Sequence, residues 1–252
     1  MLTKNEIKDI ALLLNKKYRI ERKKFLVEGI KLISEALDSG FKCDMILFTN
    51  HFNETNPDFF NDEILRGVRL ETIKQIDIER ISDTKTPQGV VGVFISKHSK
   101  QFEPRSNKIV ALENISDPGN LGTIIRNCDW FGFDEIILSG ECAELFNPKV
   151  IRASAGSVFH LNIHTEKDFY SLMGSLRKKG FKLLCADLNG ANLYELEPPE
   201  KLVAVFCNEG SGPTKELLSI TDLKITIPSR GKAESLNVAS ASAVILSNLS
   251  SN

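Results

Sequence analysis

A chain of 252 residues with 32 basic and 33 acidic side chains is long enough for two modest domains and carries a net charge of −1, so overall charge gives no argument for nucleic acid and local clusters must supply any. No apolar run approaches the ~18 residues that cross a bilayer, and the N-terminal MLTKNEIKDI has no signal-peptide apolar core. The five cysteines are odd in number and include no CxxC, which indicates neither a disulfide framework nor a metal site; the expectation is reduced cysteines in a cytoplasmic protein with no membrane association and no metal.

Thr3-Lys4-Asn5-Glu6 has the form of a capping box and predicts a helix through Leu14. Lys16, Lys17, Arg19, Arg22, Lys23 and Lys24 follow, interrupted by one acid, Glu21. Such a run is either a solvated charged turn or a phosphate-contacting edge. On the second reading Lys16, Arg19, Arg22 and Lys24 touch RNA. A strand at Phe25–Gly29, a helix over Ile30–Ser39 closed by Gly40, and a strand at Met45–Phe48 come next. His51–Asp62 is polar, Lys74–Ile81 is weakly helical, and Val90–Ile95 is a β-branched strand after the Pro87-Gln88-Gly89 turn. These elements predict a small α/β domain over 1–96, a polar linker over 97–107, and a second domain over 108–252.

In the second domain Lys108–Glu113 reads as a strand, Asp117-Pro118-Gly119 as a turn and Asn120–Trp130 as a helix. A turn of this kind at a helix N-terminus is a general anion or ligand site, and equally a plain connection. Glu135–Leu138 is the next strand, followed by the segment NPKVIRASAGS over Asn147–Ser157. His160 and His164 have no third ligand nearby, so a strand with exposed imidazoles is expected there. An amphipathic helix over Glu166–Lys179 leads to a strand at Phe181–Ala186. Lys201–Cys207 is a buried strand by composition and runs into Asn208-Glu209-Gly210-Ser211-Gly212-Pro213. This loop is neither a Walker A motif nor a dinucleotide fingerprint. Ile225–Ile227 is a short strand that Pro228 ends. Ser235 stands where an N-cap belongs, before a helix with Leu236, Ala239, Ala243 and Leu246 on one stripe. The small residues of that helix let another backbone approach closely.

The wording IPSRGKAESLNVASA resembles the third signature motif of the SpoU (TrmH) family of RNA ribose methyltransferases, within the SPOUT superfamily. Asn208-Glu209-Gly210 after its apolar strand resembles the second. ENISDPGNLGTIIRN resembles the first, with Asn114, Asn120, Gly122 and Arg126 at the family's positions, and NPKVIRASAGS resembles a subsidiary segment through Arg152, Ser154 and Gly156. One departure is Cys207, where many members have glycine. KYRIERKKFLVEGIKLISEAL and TPQGVVGVF resemble, more loosely, the family's substrate-binding domain, whose fold is like that of certain RNA-binding ribosomal proteins.

The resemblance implies an α/β fold with a C-terminal trefoil-knotted methyltransferase domain, S-adenosylmethionine as cofactor, and a homodimer. The implied reaction is methyl transfer to a ribose 2′-hydroxyl of RNA, with ribosomal RNA of the 23S type preferred over transfer RNA. It also implies site residues: Arg126 as the catalytic group, Asn120, Glu209, Ser235 and Asn237 orienting it, and Cys207, Asn208, Gly210, Ile227 and Leu236 at the cofactor. Arg152 joins the RNA contacts. Two alternatives remain, an RNA-binding member that has lost catalysis and an unrelated nucleotide-binding enzyme that uses the Asn208–Gly212 loop.

Overall fold

Thr3 and Glu6 close the expected capping box, Thr3 N–H donating to Glu6 Oε2 at 2.7 Å and Glu6 N–H to Thr3 Oγ1 at 3.3 Å. The computed structural model describes residues 2–61, 63–96, 102–208 and 210–250. The chain divides into two units, Met1–His98 with Glu144–Phe159, and Ser99–Ala143 with His160–Asn252.

In the first unit the order is α1 (Lys4–Ala11), α2 (Lys16–Arg22), β1 (Lys24–Glu28), α3 (Ile30–Asp38), β2 (Cys43–Phe48), α4 (Asn50–Thr55), α5 (Pro57–Phe60), β3 (Arg69–Thr72), α6 (Gln75–Ile81) and β4 (Val90–Ile95). The sheet order is β1-β4-β2-β3, with β4 antiparallel to both neighbours and β3 parallel to β2. Alternate residues of these strands point to opposite faces. Leu26, Leu47, Val91 and Val93 meet Ile7, Ile10 and Leu13 from the N-terminal helices and Ile78 and Ile81 from α6. On the other face Phe25 stacks on Phe146 with ring centroids 4.1 Å apart, and Phe41 meets Phe159 edge-on at 5.2 Å. Phe146 and Phe159 belong to the segment Glu144–Phe159, which the sequence reading groups with the second domain and which packs in the first unit.

The charge run forms helix α2 rather than a turn. Asn15 caps it by accepting from Lys17 N–H at 2.9 Å. Arg19 overturns one expectation. It is only 4% exposed, and it donates to Glu144 Oε2 at 2.6 Å and to the carbonyls of Leu13 and Leu14 at 2.9 and 2.8 Å. A buried guanidinium whose Nε and Nη1 serve a carboxylate and two helix-end carbonyls is a structural strut rather than a surface phosphate contact.

The second unit continues with β5 (Lys108–Glu113), α7 (Pro118–Trp130) and β6 (Glu135–Ser139). After α8 (Pro148–Ser154), which belongs to the first unit, come β7 (Asn162–Glu166), α9 (Phe169–Lys178), β8 (Lys182–Asn192), β9 (Leu202–Cys207), α10 (Lys215–Ile220), β10 (Leu223–Thr226) and α11 (Val238–Ser250). The six strands are all parallel, in the order β10-β8-β9-β5-β6-β7. A parallel sheet covered on both faces needs near-continuous apolar strands, and β5, β6 and β9 supply them. Ile109, Ala111, Val203 and Val205 face Phe169, Met173 and Leu176 of α9 and Leu217 of α10. On the other face α11 packs on β9 and on α7.

The chain approaches itself closely at Gly190 in β8, where an added Cβ would lie 2.5 Å from the Ile225 carbonyl carbon. Only glycine admits that contact. The imidazole expectation also changes. His164 is buried, with Nε2 3.1 Å from Glu166 Oε2, whereas His160 is exposed and bonds Asp129 at 2.9 Å. No metal-binding group of His, Cys, Asp and Glu occurs among the described residues, and no described helix is long and apolar enough to cross a membrane.

Candidate active site

Strand β5 has β9 on one side and β6 on the other, so the chain leaves its C-terminal end at a switch point of the parallel sheet. Loops at such a point form a crevice, the general ligand site of open α/β sheets. The loop after β5 begins at Asn114, which adopts a left-handed φ of 59°. Asparagine tolerates that region better than other non-glycine residues. Ser139, at the end of β6, holds it there. Its Oγ accepts from Asn114 N–H at 2.9 Å and donates to Asn114 Oδ1 at 3.0 Å. Asp117 then caps α7, accepting from Asn120 N–H at 2.8 Å, with Pro118 in the first turn.

Two asparagines tie the three motif loops together. Asn208, after β9, donates Nδ2 to the Asn114 carbonyl at 3.1 Å, while its Oδ1 accepts from Gly210 N–H at 2.9 Å and Ser211 N–H at 3.2 Å. Asn237 donates Nδ2 to Asn120 Oδ1 at 3.1 Å, and its own Oδ1 accepts from Ala239 N–H at 2.9 Å. Asn237 is therefore the N-cap of α11. This corrects the sequence expectation of Ser235, which lies exposed in irregular backbone two residues earlier. A third asparagine, Asn127 on α7, donates to the Ala239 carbonyl and to Ser242 Oγ, both at 2.9 Å, and fixes α11 against α7. Asn120 and Asn127 are seven residues apart and share a helix face, the one that meets α11.

Arg126 lies on α7 away from that face and is exposed. It makes no hydrogen bond or ion pair with another described residue. A guanidinium carries five N–H donors in a planar fork, the geometry that suits a phosphate. Glu209 lies outside the described residues. Cys207 closes β9 and is 6% exposed, with Sγ 3.9 Å from Cys185 Sγ. The hydrogen bond with Cys185, burial and the negative charge of Glu113 push its thiol well above the usual range. It is a packing group at the base of the loop, not a nucleophile. Gly210 is exposed, Ile227 half-buried and Leu236 51% exposed.

Residues 228–236 form no helix or strand, and all are exposed. The hydrogen bond that their backbone makes among the described residues is from Gly231 N–H to Ser229 Oγ at 3.4 Å. An exposed run of unspent peptide groups suits a cofactor that is gripped through main-chain groups. The residues present thus fit S-adenosylmethionine at the level of donors and acceptors. Sequence reasoning passed over Ser139, which lies outside every motif, and gave no role to Glu113 and Asn127 at the two ends of the first-motif stretch; all three act by holding other residues in place.

The remaining predicted site residues stand in the first unit. Lys16 is exposed, as is Arg22, which pairs with Asp9 at 3.3 Å and lies over the Tyr18 ring at 5.5 Å. Lys24 pairs with Asp44 at 2.8 Å and Arg152 with Asp83 at 3.0 Å.

Comparison with known proteins fits this architecture. The SpoU rRNA Methylase family profile matches residues 107–247, and the MRM3-like substrate binding domain matches residues 4–92. The chain is 34% identical over 245 residues to the 23S rRNA (guanosine(2553)-2'-O)-methyltransferase RlmP of Bacillus subtilis (strain 168), spanning 97% of this chain and 95% of that one. It resembles the AdoMet-bound rRNA methyltransferase from Sinorhizobium meliloti with a TM-score of 0.85 and 32% identity, over 99% of this chain and 95% of that chain. For the SpoU methyltransferase AviRb from Streptomyces viridochromogenes, solved with AdoMet, the TM-score is 0.87 at 25% identity, over 99% and 98% of the two chains. The fold is thus an N-terminal substrate-binding domain followed by a parallel-sheet methyltransferase domain, and the chain belongs to the SpoU methylase family.

Proposed function

We propose that this chain transfers a methyl group from S-adenosylmethionine to a ribose 2′-hydroxyl of ribosomal RNA of the 23S type. The observation that carries the reading is the pair of asparagine bonds, Asn208 to Asn114 and Asn237 to Asn120, which gathers three loops distant in sequence at the C-terminal edge of one sheet. The cofactor belongs to the backbone of Cys207–Gly210 and Ile227–Leu236. Bound there, it supplies an electrophilic methyl group on a sulfonium sulfur. The protein's part is to align the hydroxyl and manage its proton.

Arg126 is the group for that task. A guanidinium that stays protonated is a poor base, so its role is to hold the neighbouring phosphate and stabilise the developing alkoxide, while the proton that the hydroxyl loses as the methyl group arrives passes to solvent water. Asn120 and Asn237 brace each other at the start of the helix that carries Arg126, and Ser235 and Glu209 complete the orienting set. Lys16, Arg22, Lys24 and Arg152 serve the RNA backbone, the last three by exchanging a carboxylate partner for a phosphate.

The finer architecture follows the same reading. The C-terminal segment is threaded as a trefoil knot. The chain works as a cytoplasmic homodimer through its second domain. Trp130 is 80% exposed and lies one helical turn beyond Arg126 on α7, which makes it an anchor for a second copy. Sedimentation of the native chain and a Trp130→Glu variant reads this directly, and a native monomer at high concentration overturns it. The reaction itself is tested by mass-spectrometric mapping of 2′-O-methyl sites in ribosomal and transfer RNA from cells with and without the gene. An unchanged map removes the proposal, and a change confined to transfer RNA redirects it.

A further inference from the structure

Helix α2 is held from beneath. The buried Arg19 ties it to Glu144 and to the carbonyls of Leu13 and Leu14, and Asn15 caps its first turn. This anchoring fixes which side chains the helix presents outward. Ile20, the next residue, is 61% exposed. Lys16 and Lys17 stand one turn before it and Lys23 one turn after, and all three are exposed. None of these three ammonium groups makes a hydrogen bond or ion pair with a described residue. The Tyr18 ring steadies the neighbouring cations, with Lys17 Nζ 5.8 Å and Arg22 Cζ 5.5 Å from its centroid. Lys23 ends the helix at a left-handed φ of 53°, where glycine or asparagine is the usual choice. A lysine is thus kept there against its backbone preference.

A single exposed isoleucine needs no explanation on an ordinary surface. Set among three lysines without acidic partners, it needs a ligand that is both anionic and apolar. A second copy of this chain would bring the same lysines to face these and be repelled. A lipid surface supplies anions, but a seven-residue helix with one exposed isoleucine buries too little apolar area to hold a membrane. RNA supplies both parts at an unpaired nucleotide. Its phosphates suit the lysines, and the face of a base is its one broad apolar surface. In an A-form duplex those faces are stacked on each other, and the outside shows phosphates and ribose hydroxyls. The base face is open to a side chain only where the strand is unpaired.

We propose that Ile20 packs on the base of an unpaired RNA nucleotide while Lys16, Lys17 and Lys23 hold the phosphates on either side, so that α2 favours single-stranded over duplex RNA. The proposal rests on the reading of the first unit as the RNA-binding part of a ribose methyltransferase. It extends that reading from backbone contacts to the pairing state of the substrate. The lysines serve either form of RNA, and Ile20 supplies the preference between them.

Apolar and ionic contacts separate by their response to salt. The full native chain, Ile20→Ala and the double variant Lys17→Ala with Lys23→Ala are titrated with polyuridine and with an RNA duplex of equal length, by fluorescence anisotropy over a range of salt. In Ile20→Ala the affinity for polyuridine is expected to fall about five- to tenfold, the order for removing most of one buried aliphatic side chain, while that for the duplex stays within about twofold of native. The log–log salt slope stays at its native value, because no phosphate contact is lost. In the double lysine variant the slope on polyuridine flattens by about 0.7 for each contact removed. Unchanged polyuridine affinity in Ile20→Ala, or an equal loss on both RNAs, overturns the proposal. Should that variant not fold, the same ratio is read in Ile20→Gln, which keeps a side chain of similar length and loses its apolar character. Capture of the native chain but not of Ile20→Ala by phosphatidylglycerol vesicles, with RNA affinity unchanged, overturns it in favour of a lipid contact. A native chain that binds neither RNA overturns the RNA-binding reading of the first unit itself.

Discussion

Asn237 donates its side-chain amide to Asn120 Oδ1 at 3.1 Å while the other end of the same amide caps α11. One side chain thus starts the last helix and fastens it to the first turn of α7. The two jobs separate by mutation. Asn237→Asp keeps a capping oxygen and loses the donor, so its stability should remain within about 0.5 kcal/mol of native while methyl transfer slows. Asn237→Ala loses both and should cost about 1–2 kcal/mol in chemical denaturation. Equal loss of stability in the two variants contradicts this division.

Arg19 and its neighbours in the charge run should behave oppositely. Arg19→Ala leaves Glu144 and two helix-end carbonyls without their donor, and should destabilise the chain by about 3 kcal/mol. Lys16→Ala and Arg22→Ala should leave stability almost unchanged. Each lost phosphate contact should flatten the log–log salt dependence of RNA binding by roughly 0.7–0.9. Denaturation curves and a salt titration decide it, and a stable Arg19→Ala with weakened RNA binding would return Arg19 to the RNA surface.

These two cases mark where the sequence was legible. Strands β1, β5 and β9, the capping box at Thr3 and the turn into α7 depend on neighbours within a few residues, and their patterns state them. Arg19 was not legible as buried, because its carboxylate partner lies 125 positions away in a segment that packs in the first unit. The start of α11 failed for a related reason. Ser235 and Asn237 are both good capping residues, and Asn237 has a bond to Asn120, 117 positions away, that local pattern does not contain. The same holds for Ser139, whose hydroxyl matters only because Asn114 turns left-handed beside it.

Gly190→Ala is expected to be among the most damaging single-methyl changes in the chain. The new Cβ would meet the Ile225 main chain at 2.5–2.7 Å, and no side chain can swing aside to relieve it. A loss of about 2–3 kcal/mol, or failure to fold, is the expected result. Gly140→Ala meets nothing within 4 Å and serves as the control. Comparable thermal transitions for the two variants would refute the tight passage.

Asp222 gives the acid limb of stability a testable component. Burial pulls its pKa up, but the Arg177 guanidinium and the Leu183 N–H outweigh that and hold it below the usual aspartate value. A carboxylate depressed in the folded state stabilises fully above its unfolded pKa, near 4, and the contribution disappears as pH falls through the lower folded value. Asp222→Asn should therefore destabilise at pH 7 and converge on native stability toward pH 2. A constant difference across that range would show that charge is not the cause.

Arg126 separates catalysis from structure more cleanly than any other residue here. It is exposed and makes no hydrogen bond or ion pair with a described residue, so Arg126→Ala breaks no such bond among them. Its midpoint in denaturant should match native within about 0.5 kcal/mol. Cofactor affinity should survive, since the cofactor is assigned to the loops after β9 and β10. The rate should fall by about 10²–10⁴, or roughly 3–5 kcal/mol of barrier, if Arg126 stabilises the forming alkoxide and its phosphate neighbour. Arg126→Lys should recover only part of this, because an ammonium cannot span two oxygens as the planar fork does. Single-turnover methylation with saturating cofactor and RNA reads the chemical step apart from binding. Near-native turnover in a folded Arg126→Ala would remove this side chain from the mechanism and direct attention to Ser235, the exposed hydroxyl of the third motif.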